Sequence, residues 1–289
     1  MIEVLDPGAL TTIQDLGRPG WAHLGVPRSG AADPRSLRLA NRLLANPGDA
    51  AALETTLLGP RLRLEVDAAV AITGAVVEAR AGDRPVPMNA PVYLCAGQTL
   101  ELGAASAGLR TYVAVRGGLD CKLTLGSAST DILTGLGPRP LRRGQRLAIG
   151  PTPAAFPDVD VAPIPALELE PRLGIVFGPR ADWFSAAARR ALTAAVYTVS
   201  DTSNRIGLRL LGPELSRVRD GELGSEGMVA GALQVPPAGN PILLLADHPT
   251  TGGYPVIAVL ATADLPVAGQ LRPGQRLRFR EAPGGGRIR

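Results

Sequence analysis

Short β-strands are predicted over most of the chain by the spacing of its apolar and polar residues. Leu277 and Phe279 alternate with three arginines, which is the period-two pattern of a half-exposed strand. Residues 242–246 form an unbroken apolar run that predicts a buried strand. The 35 glycines and 27 prolines interrupt such segments often, so the pattern favours strands joined by turns over a helical bundle.

Two helices interrupt this pattern. Asp33 followed by Pro34 is typical of a helix N-cap with proline in the first turn. The apolar stripe behind it consists of Leu37, Ala40, Leu43 and Leu44, and Asn46-Pro47-Gly48 ends the helix. A second apolar stripe predicts a helix from about Ala181 to Ala194.

Three short segments recur in the same order in the two halves of the chain. The matched pairs are 57–62 with 210–215, 112–115 with 256–259, and 141–147 with 271–277. Three ordered matches predict one β-rich unit used twice. We therefore expect a first domain over 1–150, a Pro-rich linker over 151–170, a second domain over 171–282 and a tail over 283–289.

Reactive side chains are few, which excludes several classes of site. The chain has two histidines and two cysteines, at spacings unlike those of zinc ligands. Its only lysine, Lys122, is in neither a phosphate-binding loop nor a Met-Lys biotinylation sequence. We therefore expect no metal site, and we expect ATP or biotin chemistry to need another chain.

The charge and the hydropathy of the chain exclude other partners. The net charge is +4, but the arginines are scattered and only 3% of residues are aromatic, so nucleic-acid binding is not expected. The longest uncharged stretch, 227–246, is broken by three prolines, so no membrane helix is expected. The first residues lack a secretory pattern and cysteines are scarce, so a cytoplasmic location is expected.

A set of long motifs carries a resemblance to a known family. The first half contains Thr12-Ile13-Gln14-Asp15-Leu16-Gly17-Arg18-Pro19-Gly20, Gly25-Val26-Pro27-Arg28-Ser29-Gly30 and Gly117-Gly118-Leu119-Asp120. The second contains Ser225-Glu226-Gly227, Ala232-Leu233-Gln234-Val235-Pro236 and Thr250-Thr251-Gly252-Gly253-Tyr254-Pro255. From about residue 2 to 279, the chain resembles the biotin-dependent carboxyltransferase-like family. That family includes the C-type subunit of 5-oxoprolinase, also called KipA-like or allophanate hydrolase subunit 2.

This resemblance implies a mainly β fold with two tandem cyclophilin-like β-barrel domains and a few peripheral helices. It implies a C-type subunit that cleaves 5-oxoproline to glutamate only together with two partner subunits, one KipI-like (B-type) and one A-type, with ATP consumed by the complex. Two alternatives share the motifs. One is a carboxyltransferase for a urea-like small amide, with biotin carried by another chain. The other is a KipA-like protein that binds and antagonises a KipI-like kinase inhibitor.

The chain departs from the family pattern at three positions. Pro249 stands where Gln is common, Asn204 where Asp is common, and Ala128 where Arg is common. Polar contacts that relatives make through Gln and Arg at these positions are therefore not expected here. Asn204 keeps an acceptor oxygen but loses the charge.

These motifs, together with the matching segments Leu39-Ala40-Asn41 and Ala52-Leu53-Glu54, contain a set of candidate site residues. As catalytic acid–base groups we expect Asp247, Glu226 and Asp15. As substrate-binding groups we expect Arg18, Ser29, Asn41, Glu54, Gln234, Thr250, Thr251, Gly252 and Tyr254. The 250–254 loop, Glu226 and the 15–18 segment are expected to converge on a small amide, with Arg18 holding a carboxylate.

A structural role is the alternative for each charged candidate. Asp247 can cap backbone amides in a glycine-rich turn, and Glu226 can form an ordinary surface ion pair with an arginine. Arg18 can pair with Asp15 to fix the N-terminal segment. Glu54 and Asn41 are core-facing polar groups that need partners whatever the function.

Overall fold

The computed structural model describes residues 1–153, 155, 159–219, 221 and 223–282. The chain divides into two compact units: unit 1 comprises Met1–Arg18 and Ser29–Leu167, and unit 2 comprises Pro19–Arg28 and Glu168–Arg289. The expected tail over 283–289 and linker residues 154 and 156–158 lie outside the described residues. The predicted domain boundaries stay predictions.

Unit 1 is built from antiparallel strands in two sheets. The strands are β1 (Ile2–Asp6), β2 (Thr11–Gln14), β3 (Ala52–Thr56), β4 (Arg61–Leu64), β5 (Ala68–Val76), β6 (Ala79–Ala81), β7 (Arg84–Val86), β8 (Pro91–Leu94), β9 (Thr99–Leu102), β10 (Ala107–Val115), β11 (Leu119–Asp120) and β12 (Arg146–Ile149). One sheet has the order β11-β12-β1-β4-β9-β6-β7 and the other β2-β3-β10-β5-β8.

The five-stranded sheet of unit 1 is covered on both faces. Because side chains alternate along a strand, Ile72 and Val113 enter the main core on one face. Tyr112 and small alanines of β5 and β10 point to the other face and pack against Leu37 of helix α1 (Pro34–Arg42). Burying a leucine of this kind contributes about 1.5–3 kcal/mol. Asp33 caps α1 by accepting from the backbone N–H groups of residues 35 and 36, as the sequence predicts.

Unit 2 is a closed barrel with the strand order β13-β20-β17-β18-β15-β14-β21. Its strands are β13 (Arg172–Phe177), β14 (Val196–Val199), β15 (Gly207–Leu211), β17 (Ala232–Gln234), β18 (Ile242–Leu244), β20 (Val256–Leu260) and β21 (Arg276–Glu281). Leu277 and Phe279 point into the core, as their alternation predicts. The predicted mainly β fold is therefore confirmed, with a closed barrel in this unit.

Two further helices and a small two-stranded sheet belong to unit 2. The predicted helix from Ala181 is wrong in its start, because Ala181–Trp183 is a separate 3-10 turn. Helix α2 spans Ala186–Ala194 and is capped by the Ser185 hydroxyl. Helix α3 (Leu265–Gln270) is an element that the sequence pattern does not predict. Strands β16 (Glu226–Gly227) and β19 (Thr251–Gly252) pair antiparallel outside the barrel.

One of the repeated segments forms the same turn in both units. The Gly144-Gln145 and Gly274-Gln275 turns both place glycine at a φ of 79°. In each turn the glutamine side chain accepts from the backbone N–H three residues earlier, at 3.2 Å. Each turn also exchanges two backbone hydrogen bonds with a neighbouring strand, through Val4 in unit 1 and Val199 in unit 2. The 57–62 and 210–215 pair differs, since Arg61 begins β4 whereas Leu211 ends β15.

Candidate functional site

Asp15 lies in unit 1, directly after β2, and its carboxylate is surrounded by donors. It accepts from Ser127 Oγ at 2.6 Å, Ala128 N at 2.6 Å, Ser129 Oγ at 2.5 Å and Gly17 N at 2.7 Å. The side chain is buried. Four donors fill the acceptor sites of one carboxylate, so Asp15 holds the 127–129 segment against β2.

Arg18 supports the same segment from the other side. Its side chain is 1% exposed, and it donates through Nε to the Thr124 carbonyl at 3.3 Å and through Nη2 to the Ser129 carbonyl. Ser29, also buried, donates to the Thr130 carbonyl at 3.0 Å and has a φ of 54°. These contacts give Asp15, Arg18 and Ser29 a shared structural role in unit 1.

Asn41 and Glu54 have the partners that core-facing polar groups require. Asn41 donates to the Ala50 carbonyl at 2.8 Å. Glu54 accepts from Ala32 N at 2.9 Å and from the Tyr112 hydroxyl at 2.7 Å. Burial and the charge of Glu54 raise the pKa of Tyr112 well above its ordinary value. The phenol therefore remains a donor and ties β10 to the segment before helix α1.

Asp247 lies three residues after β18 in unit 2 and is fully buried. The strand ends at Leu244, earlier than the apolar run over 242–246 predicts. Its two oxygens accept from Arg205 Nε at 2.8 Å and Nη2 at 2.9 Å, a bidentate ion pair. The backbone N–H of Asp247 also donates to the Arg205 carbonyl at 3.1 Å. This geometry matches the structural alternative for Asp247, with an arginine in place of the expected backbone amides.

Glu226 lies at the surface of unit 2, and 27% of its side chain is exposed. Arg180, which precedes the 3-10 turn, donates to both Glu226 oxygens through Nε, at 2.9 and 3.1 Å, and to one of them through Nη2. This hydrogen bonding lowers the pKa of the Glu226 carboxyl and raises the pKa of the Arg180 guanidinium. Glu226 is therefore ionised at neutral pH and accepts rather than donates hydrogen bonds.

Three separated motifs meet beside this ion pair. Glu226 is paired with Gly252 across the β16–β19 ladder, and Met228 N donates to the Thr250 carbonyl at 2.9 Å. A Cβ atom on residue 252 would lie 2.5 Å from Gln234 Nε2. Gly252 thus lets the buried Gln234 amide approach the backbone closely. Unit 2 therefore brings together Glu226, Gln234 and the 250–252 segment.

Of the other residues in the 250–254 loop, Thr251 and Tyr254 are exposed. His248 is buried in the turn before the loop, with Nδ1 2.8 Å from the Pro249 carbonyl oxygen. The unit 1 candidates are Asp15, Arg18, Ser29, Asn41 and Glu54, whereas Glu226, Gln234, Asp247 and the 250–254 loop belong to unit 2. The expected convergence of the two sets stays a prediction.

The three departures from the family pattern have simple local surroundings. Ala128 is buried among core side chains while its N–H holds Asp15. Asn204 accepts from Ile206 N at 2.8 Å and so closes the turn before β15. The Pro249 carbonyl faces the His248 ring.

A family model described as carboxyltransferase domain, subdomain A and B, matches residues 24–281. The chain belongs to this carboxyltransferase family. Among its relatives, the C-type subunit of Escherichia coli 5-oxoprolinase is 38% identical, over 96% of this chain and 90% of that protein. Urea amidolyase of Lachancea kluyveri is 34% identical over 96% of this chain but only 17% of its own length.

The structural comparisons agree with this membership. The crystal structure of the K. lactis urea amidolyase superposes with a TM-score of 0.90 at 32% identity, covering 97% of this carboxyltransferase-family chain and 18% of that one. The crystal structure of TTHA0988 superposes with a TM-score of 0.89 at 37% identity, and 55% of its chain is covered. The chain thus spans about half or less of these solved structures.

The described residues of this carboxyltransferase-family chain form no group of three or more His, Cys, Asp or Glu side chains able to hold a metal ion. In the same residues, every helix is too short or too polar to cross a bilayer. Lys122 is exposed, but its Cys-Lys-Leu sequence does not fit covalent biotin. The only lysine of the chain is therefore a poor attachment point for that cofactor.

Sequence reasoning missed Arg180 and Arg205, the two arginines that hold the candidate carboxylates of unit 2. Arg205 lies 42 residues before Asp247, and Arg180 lies 46 residues before Glu226. No local pattern links such pairs, because they form only through the tertiary fold of unit 2. The available signal for Arg205 is its position next to Asn204, in the Ser203-Asn204-Arg205 segment where many members of the family have Ser-Asp-Arg.

Proposed function

We propose that this chain is the C-type subunit of an ATP-dependent 5-oxoprolinase, which cleaves 5-oxoproline to glutamate together with a KipI-like B-type partner and an A-type partner. The observation that carries the proposal is the 38% identity to the E. coli C-type subunit over 90% of that protein. The C-type subunit of H. influenzae is similar in the same way, at 34% identity over 90% of its length. Similarity over nearly the whole of both relatives supports the same role for this chain.

Within this subunit, we place the substrate-contacting surface in unit 2. Glu226 and Thr251 supply a carboxylate and an exposed hydroxyl at the β16–β19 ladder, and the buried Gln234 amide, which donates to Met228 Sδ at 3.1 Å, supports them by lying against Gly252. These groups suit a small cyclic amide, whose N–H and C=O need one acceptor and one donor. Gly252 and Thr250 fix the path of the loop backbone through their backbone contacts with Glu226 and Met228. Tyr254 lies at the exposed end of the loop.

The remaining candidates act in support of this surface. Asp247 holds Arg205 and the end of β18, whereas the unit 1 candidates order loops of that unit. Those unit 1 residues are Asp15, Arg18, Ser29, Asn41 and Glu54. Variants at these positions would lower activity through folding, so they would not separate a chemical role from a structural one.

ATP and biotin are expected to be handled by other chains. The phosphate-binding sequence and the biotinylation sequence are both missing around Lys122, the only lysine. A complex with the A-type and B-type partners would supply the nucleotide site. Biotin would enter only in the urea-type alternative, again on a partner.

A urea-type carboxyltransferase is the second candidate function. It is favoured by the TM-score of 0.90 to the K. lactis urea amidolyase. The chain covers only 18% of that protein, so a biotin-carrying partner would have to provide the rest.

The deciding experiment is co-expression of this chain with its A-type and B-type partners. Glutamate release is then measured from 5-oxoproline with ATP, and a complex lacking this chain is the control. We expect release only from the full complex. Biotin on a co-purified chain, detected by avidin blotting, together with urea-dependent ATP hydrolysis would instead support the carboxyltransferase. Tight binding of a KipI-like partner with no turnover of either amide would support the antagonist.

A further inference from the structure

The exposed edge of Arg180 is an anion-binding group to which neither the motifs nor the relatives assign a role. Its guanidinium uses Nε and Nη2 for Glu226. Nη1 makes no hydrogen bond to any described residue, and 37% of the side chain is exposed. A guanidinium can bind one carboxylate side-on through Nε and a second end-on through its two terminal nitrogens.

We propose that Arg180 binds the carboxylate of the substrate end-on, while Glu226 holds the Arg180 guanidinium in position from its Nε side. The proposal rests on the proposed function, which needs a substrate carrying both an amide and a carboxylate. Arg180 then replaces Arg18 as the carboxylate-holding residue. Arg18 is poorly suited to this role because its side chain is 1% exposed and is already bound to backbone carbonyls.

The surroundings of the pair supply the rest of such a site. Glu226 faces Gly252 across the two-stranded ladder, and Gln234 approaches Gly252 from the barrel. An amide-binding surface therefore adjoins the free edge of Arg180. Another ion pair, between Arg219 and Asp182, lies on the same 3-10 turn. Glu226 and Asp182 are thus each paired with an arginine. A ligand carboxylate would be the third anion on this surface.

This arrangement favours one of the two candidate substrates. 5-Oxoproline carries a carboxylate, whereas urea is neutral and gains nothing from an end-on guanidinium. The chemical class that Arg180 selects is a small lactam or amide with a carboxylate beside it. The corresponding lactam without a carboxylate, 2-pyrrolidinone, is the matched probe.

The test is calorimetric binding of 5-oxoproline and 2-pyrrolidinone to the assembled complex, with and without substitutions in this chain. We expect the native complex to prefer 5-oxoproline and Arg180→Ala to lose about 10- to 100-fold in that preference. Arg180→Lys should retain part of it, and guanidinium ion should partly restore Arg180→Ala. Glu226→Gln should weaken 5-oxoproline binding less than Arg180→Ala does.

Arg276→Ala is the matched control, since it removes an exposed arginine from a different ion pair of unit 2, with Glu170, and should leave the preference unchanged. An Arg180→Ala complex that still prefers 5-oxoproline, or a native complex that binds both lactams equally, would overturn the proposal. The assigned function is tested separately by glutamate release. A native complex that shows the Arg180-dependent preference but releases no glutamate would contradict the proposed 5-oxoprolinase function. The carboxylate site at Arg180 would still be supported.

Discussion

Arg18, within a family motif, and Arg180, outside the motifs, lie in different surroundings. Arg18, in unit 1, is buried and donates to the carbonyls of Thr124 and Ser129. Arg180, in unit 2, is 37% exposed and leaves one edge of its guanidinium open. A charged residue within a family motif can therefore support the fold, while one outside the motifs can leave part of its guanidinium exposed.

The comparison extends to the two units as a whole. Unit 1 places Asp15, Glu54 and Asn41 in saturated hydrogen-bond networks, whereas unit 2 presents Glu226 and the 250–254 loop nearer the surface. Substitutions in unit 1 should therefore mainly lower the stability of the fold, whereas those around β16 and β19 should mainly weaken ligand binding.

The largest effect is expected from Arg18→Ala. The substitution leaves the buried Ser129 carbonyl and the partly buried Thr124 carbonyl without their charged donor, so the free energy of unfolding should fall by about 2–4 kcal/mol. Urea denaturation of the purified chain measures this loss. Arg219→Ala, at an exposed position, should cost no more than about 1 kcal/mol. A fully stable Arg18→Ala with impaired 5-oxoproline binding would reverse the roles given to Arg18 and Arg180.

Two buried tyrosines should respond differently to the loss of a hydroxyl. The Tyr112 hydroxyl bridges Glu54 and the Asp33 N–H, so Tyr112→Phe should destabilise the chain by about 1–3 kcal/mol. The Tyr197 hydroxyl has no hydrogen-bond partner among the described residues, and burial raises its pKa to about 12. Tyr197→Phe should therefore be neutral or slightly stabilising. Equal losses in thermal unfolding would contradict the contrast.

Gly252→Ala should affect the site more than the fold. A new Cβ would lie 2.5 Å from Gln234 Nε2 and push that amide aside, so glutamate release by the complex should fall about tenfold. Gly253→Ala is the control, because the nearest atom to its added Cβ is 3.4 Å away. Similar rates for the two variants would remove Gln234 from the proposed surface.

The smallest effect is expected from mild acidification. The bond from Arg180 lowers the pKa of Glu226, so the pair is complete above the ordinary carboxyl pKa and breaks only as the pH falls through the lowered value. Between about pH 5 and pH 8, titration of Glu226 should therefore leave 5-oxoproline binding unchanged. Calorimetry at several pH values checks this, with Glu226→Gln as reference. The contrary result is a loss of 5-oxoproline binding with a midpoint at about pH 6 that is absent in Glu226→Gln. It would show that Arg180 does not keep this carboxylate ionised.

Much of the fold could be predicted because local patterns determine it. The alternation around Leu277 and the cap at Asp33 form the elements they predict, and the apolar run before Asp247 forms a strand that ends at Leu244. The start of helix α2 was misplaced because Ser185, its true cap, sits within a continuous apolar stripe. Helix α3 has only six residues and includes Pro266, too little for a helical period.

The site was harder to predict, because its chemistry depends on long-range pairing. The sequence identifies Glu226, Gln234 and Gly252 as candidates, and the β16–β19 ladder and the close approach to Gly252 bring them together. The sequence does not predict that Asp247 is buried whereas Glu226 is partly exposed. Each carboxylate is placed by an arginine more than forty residues away, through the tertiary fold of unit 2.

The Gly-Gln turns have a consequence for how the two units can be altered. Each turn meets its neighbouring strand through the same backbone bonds, and its glutamine side chain closes the same ring. The side chains of the facing valines, Val4 and Val199, take no part in this bonding, so the bonding depends on the turn sequence alone. Residues 141–147 and 271–277, which differ only at Arg143 and Pro273, could therefore be exchanged between the units with the flanking strands keeping their register.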